Sequence, residues 1–190
     1  DDDAGRQVGD AHRRVGLVDV LAAGAAGAVG VDLEIDLVDL DLDVVVDVVV
    51  DALGRSEADV EFFAVSGRLI SKWAKATGVG QLLLHSSVGV GVSRKVYPQN
   101  RFDSMAALFR AKGEGEEAVI ASGIPYTIIR NAVLRNLPPN TPDNAQLFED
   151  ESKFGMVSRR GLGRLTVSCI GSDTCYNRIF HAVDDGMSGR

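Results

Sequence analysis

Residues 67–87 read GRLISKWAKATGVGQLLLHSS, and the change of texture inside this stretch decides the fold. From Ser66 to Thr77 the apolar residues Leu69, Ile70, Trp73 and Ala74 recur at helical spacing on one face, and Gly78 follows as a stop. Gln81 to Ser87 is then a short apolar run closing on polar residues. That is the pattern of a strand buried on both faces that surfaces at the edge of a parallel sheet.

Working outward, a loop with Gly89, Gly91 and Pro98 leads into the longest helix candidate, Phe102 to Ala121, with Asp103 near its start and Ser122-Gly123 closing it. Tyr126 to Arg130 (YTIIR) is a second buried strand. Residues 131–155, with Pro138, Pro139 and Pro142, read as a loop-rich cap. Ser158 to Ile170 is a final helix despite Gly161 and Gly163, with Ser158 suited to its N-cap, and Arg178 to Val183 (RIFHAV) is a last strand. Strand, helix, strand, helix, strand is the grammar of an α/β fold with a parallel sheet flanked by helices. A ligand in such a sheet sits beyond the carboxyl ends of the strands, where Ser86-Ser87 and Arg130-Asn131 fall.

The other direction is different. Residues 31–51 read VDLEIDLVDLDLDVVVDVVVD, alternating at a period near two but far longer than a strand and built almost wholly from Val, Asp and Leu. We read the run as low complexity and irregular. Residues 1–60 carry 15 acids against 4 bases, and residues 61–190 carry 12 against 16. The organisation expected is thus an acidic, degenerate part over 1–60 and the body of a single domain over 61–190. Phosphate repulsion argues against nucleic acid as a partner, and the mildly basic remainder suits a small phosphorylated ligand.

The stretch Val20 to Val31 is too short to span a bilayer. It lacks a basic lead-in and a small-residue cleavage pattern, so the opening Asp1-Asp2-Asp3 reads as a processed or partial end. Cys169 and Cys175 give no disulfide framework and read as two buried thiols, which suits the cytoplasm or an organelle stroma. His12, His85 and His181 lack neighbouring ligand residues, so no metal is assigned.

Four segments together carry a family likeness: residues 67–87, AKGEGEEAVIASGIPYTIIRNA (111–132), FGMVSRRGLGRLTVSCI (154–170) and NRIFHAVDD (177–185). In this order they resemble the atypical, NmrA-like branch of the short-chain dehydrogenases/reductases. The resemblance implies a Rossmann-like domain, incomplete at its N-terminal end, with NAD or NADP over the strand ends; NADP is common in this branch. It implies that Ser86 and Ser87 line the nicotinamide-ribose side, that Lys112 approaches that ribose, and that Arg130, Asn131 and Ala132 form the strand-end loop. The family has Pro-Gly where this chain has Asn131-Ala132. From the residues alone, Lys112 pairs equally well with Glu116 as an exposed i,i+4 pair, and Tyr126 and Trp73 read as core.

Gly24, Gly27 and Gly30 have the spacing of a pyrophosphate-binding turn, with Val15 to Leu21 as the strand before it. No arginine follows near enough to meet a 2′-phosphate, the next being Arg55, and a row of aspartates would rather accept bonds from a 2′-hydroxyl. Catalytic residues stay unassigned: Tyr97 is followed four positions on by Arg101 instead of the lysine that tunes a catalytic tyrosine. Three functions follow. One is a dinucleotide-dependent oxidoreductase passing hydride to a small carbonyl or quinone. The second is a non-catalytic dinucleotide sensor or assembly factor, and the third an incomplete domain that binds no nucleotide.

Overall fold

The computed structural model describes Val15–Gly16, residues 47–54 and residues 60–187 of the chain. Among them a six-stranded sheet runs in the order β1 (Val15–Gly16), β2 (Val48–Asp51), β3 (Gln81–Ser87), β4 (Tyr126–Asn131), β8 (Arg178–Asp184) and β6 (Ala145–Phe148). The first five are parallel and β6 closes the edge antiparallel to β8. A two-stranded parallel ladder joins β5 (Val133–Arg135) to β7 (Met156–Ser158). Helices α1 (Phe62–Ala76) and α2 (Gln99–Ala121) cover one face, and α3 (Arg159–Cys169) the other.

Alternation along the strands divides the core. Val49, Leu82, Leu84 and Ile128 pack with Ala74 and Val119 on the α1/α2 side. Val48, Val50, Leu83 and Phe180 pack with Cys169 and Cys175 on the other. Both faces of β3 are therefore dry, which is why its sequence is a continuous apolar run.

The strands at Gln81 and Tyr126 and the helix over residues 158–170 stand where the sequence sets them. Ser158 caps α3, its Oγ accepting the N–H of Gly161 at 2.8 Å. Gly161 is required by contact, since a Cβ there would lie 2.7 Å from that of Ala145 on β6. Four expectations need correction. The acidic run ends in order: Val48–Asp51 is a strand buried throughout, because pairing with β3 satisfies its backbone and leaves one acid at the end of the strand. Residues 131–155 hold two strands, β5 and β6. The buried face of α1 is Ala64, Gly67, Ser71 and Ala74, with Leu69 40% exposed, because α2 crosses close enough to admit only small residues. Cys169 and Cys175 are joined as a disulfide: after α3 the chain reverses through Gly171 at φ 64° and brings their Cα atoms to 5.5 Å.

Candidate functional site

Because β2, β3, β4 and β8 run parallel, their carboxyl ends open on one edge. Register sets Ser86 beside Arg130 and Ser87 beside Asn131, and Arg130 beside His181 on the next strand. Val88 N–H donates to Asn131 O at 3.1 Å, tying the loop after β3 to the end of β4. Four of the residues read from the sequence, Ser86, Ser87, Arg130 and Asn131, are thus brought together, with Ala132 next in the chain. The Oγ of Ser86 is buried and has no hydrogen-bond partner. Gly24, Gly27 and Gly30 lie outside the described residues.

Lys112 lies on α2, half-buried, with Nζ 4.2 Å from the centre of the Phe63 ring on α1. The exposed Lys112–Glu116 pair is not what forms. Glu116 is 3% exposed and takes Arg130 in a two-pronged pair, Nε to Oε1 at 3.0 Å and Nη2 to Oε2 at 2.7 Å. The reason is positional: Glu116 faces the sheet, where a guanidinium fits both its oxygens. The Arg130 guanidinium is therefore turned into the protein, its third nitrogen reaching Glu151 at 3.5 Å.

Two groups at this edge have no signal in the sequence spacing. Asp51 ends β2, 7% exposed, and its carboxylate accepts the N–H of Leu53 at 3.1 Å. Burial pushes its pKa up, opposed by that hydrogen bond and by Lys112. Burial in turn pulls the Lys112 ammonium down, opposed by Asp51 and Glu116. His85 on β3 meets the Thr166 hydroxyl of α3 at 2.7 Å. That hydroxyl donates to Leu162 O, so it accepts from His85, whose Nε2 carries the proton. Burial, aided by Lys112, pulls His85 to about 4. An acid closing an apolar run and a histidine inside one are the only hints the sequence offers for this pair.

Residues 150–154 cross the edge and are held at three points. Glu151 meets Arg130, Lys153 O accepts from His181 Nδ1 at 2.7 Å, and Phe154 stands edge-on to Tyr97 at 5.6 Å between centroids. Tyr97 also packs on Phe102 and Phe109, so its ring is part of an aromatic cluster in the loop before α2. Beyond β4 and β8 a cleft of about 430 Å³ opens, lined by Arg101, Val133, Arg135, Phe154, Met156 and Asp184 among others. No group of potential metal ligands gathers among the described residues, and none of their helices is long and apolar enough to cross a membrane.

The NAD(P)H-binding family profile matches residues 24–173. No curated protein matches the chain. Among solved structures, an anaerobilin reductase from Escherichia coli O157:H7 is 15% identical, with TM-score 0.65, covering 75% of this chain and 66% of its own. A short-chain dehydrogenase/reductase from Veillonella parvula solved with NADP is 16% identical, with TM-score 0.58, covering 76% of this chain and 65% of its own. The chain thus spans just under two thirds of these neighbours, and at such identity they establish the fold.

Proposed function

Since this chain belongs to the NAD(P)H-binding family, whose cofactor is NAD or NADP, we propose that it is an oxidoreductase of the atypical short-chain dehydrogenase/reductase type acting on a small carbonyl or quinone. The bound dinucleotide would supply the hydride, and the protein its orientation. The observation that carries this reading is the polar parallel edge, where Asp51, Ser86-Ser87 and Arg130-Asn131 end adjacent strands and Lys112 stands half-buried behind them. An open parallel edge is where such folds bind nucleotides.

In this reading Ser86 and Ser87 face the nicotinamide ribose, and the unsatisfied Ser86 hydroxyl has bonding capacity to offer it. Lys112 hydrogen-bonds the ribose hydroxyls. Arg130 fixes the end of β4 through Glu116, so that Asn131 and Ala132 border the nicotinamide. Gly24, Gly27 and Gly30 give the pyrophosphate its backbone amides. The partners are the dinucleotide and a small molecule, with no role for nucleic acid.

Thermal melts with NADPH and NADH test the first step, since a ligand at a hundred times its Kd stabilises a fold by about 2.7 kcal/mol. We expect an upward shift with at least one of them; no shift at millimolar cofactor removes the reading. Lys112→Ala should weaken binding roughly ten-fold, the worth of a charged hydrogen bond, and unchanged affinity would retire that role. One observation favours the sensor alternative: Tyr97 packs among Phe102, Phe109 and Phe154, leaving no tyrosine–lysine pair at the edge among the described residues. Cofactor oxidation across a panel of quinones and aldehydes separates the two.

A further inference from the structure

We propose that the cleft beyond β4 and β8 takes a ring-bearing small molecule with a carboxylate or sulfonate at one end. The argument begins with charge. Arg101, in the first turn of α2, and Arg135, on β5, both line this cleft. Nearby arginines are committed: Arg130 to Glu116, Arg159 to Asn136, Arg160 and Arg164 to Asp143, Arg178 to Glu149. The guanidinium groups of Arg101 and Arg135 meet no hydrogen-bond or ion-pair partner among the described residues. Two uncompensated cations at one cavity attract an anion, and guanidinium favours a planar, two-oxygen one.

An apolar floor accompanies them. Val133 and Met156 come from the paired strands β5 and β7, and Phe154 is 39% exposed, its ring standing edge-on to Tyr97. Such a floor accepts a flat hydrophobic body, and about 430 Å³ falls in the range of small-molecule sites. Two acids also line the cleft: Asp184, buried with its carboxylate accepting the N–H groups of Asn144 and Gly186, both at 2.9 Å, and Asp185, which is exposed. They disfavour a second anion, so the ligand carries a single negative charge. Because β4 passes through Asn131-Ala132 directly into Val133, the cleft adjoins the edge given above to the nicotinamide. Calling the ligand a substrate rests on that reading; the binding itself does not.

Calorimetry on the full chain with anthraquinone-2-carboxylate and the uncharged anthraquinone-2-carboxamide tests the assignment. The carboxylate should bind on the order of ten-fold tighter. Arg101→Ala and Arg135→Ala should each remove most of that preference, and the double variant all of it. Arg94→Ala, outside the cleft and stacked on Phe102, should keep it. Equal affinity for the two compounds, binding of neither, or a preference surviving the double substitution overturns the proposal. Circular-dichroism melts of each variant show that the fold is intact. An NADPH thermal shift on the same samples separates the two readings. Carboxylate preference without a shift upholds the cleft and removes the dinucleotide reading, whereas a shift without preference does the reverse.

Discussion

The side chains of Arg130 and Glu116 meet in a pair that is 5% and 4% exposed, respectively. A buried pair of this kind is costly to break from one side, because the remaining charge has no water to turn to. Arg130→Met should therefore destabilise the fold by about 3–5 kcal/mol in urea unfolding, and adding Glu116→Leu should recover most of it. The histidines give a prediction of opposite form. Burial pulls the pKa of His85 to about 4 and lowers that of His181, so both bind protons more weakly when folded. Protonation then favours the unfolded chain: stability is full above about pH 6.5 and falls as the pH drops toward 4. His85→Gln should flatten this acid limb by roughly 1–3 kcal/mol, seen as a smaller loss of Tm between pH 7 and pH 4.5. At this scale the sequence reveals what is local. Ser158 can be read as a cap because its partner is three residues away, whereas Arg130 and Glu116 are fourteen apart and meet only through the fold. Arg101 and Arg135 share a cleft for the same non-local reason.

Between α1 and α2 the decisive residues are the ones without side chains. A Cβ on Gly115 would lie 2.7 Å from Phe63 O, and one on Gly67 would lie 2.6 Å from the Cα of Gly115. The helices approach backbone to backbone, and α2 thereby brings Glu116 to Arg130 and Lys112 to Phe63. Gly115→Ala should cost about 1–3 kcal/mol in chemical denaturation, since neither backbone can yield. Gly163→Ala on α3, with nothing within 4 Å of its Cβ position, should instead stabilise by about 0.5–1 kcal/mol. This crossing explains why the hydrophobic face of α1 misleads. Leu69 and Trp73 mark an apolar stripe, but the contact selects Ala64, Gly67, Ser71 and Ala74 for size. The strands are easier, because dryness on both faces writes itself directly as QLLL and TII.

Among the described residues, the five parallel strands of the main sheet put their carboxyl ends on one side, and this follows from the βαβ order that the sequence displays. The antiparallel β6 does not, because the proline-rich segment before it hides a strand that owes its order to β8. The disulfide hides similarly, depending on a chain reversal at Gly171. Closing so short a loop restricts the unfolded chain by only about 2 kcal/mol. Reduction, or the Cys169→Ala/Cys175→Ala variant, should thus lower Tm by roughly 4–8 °C without unfolding the protein at room temperature. The anchoring of residues 150–154 has a wider consequence. Its three moorings are an ion pair, an imidazole–carbonyl hydrogen bond that survives protonation of the ring, and an edge-on pair of rings, and of these the ion pair alone answers to salt. No single solvent change releases all three at once, so this segment behaves as fixed wall. Entry to the cavity is then governed by the charged and apolar side chains that line it, with no moving flap needed to choose among visitors.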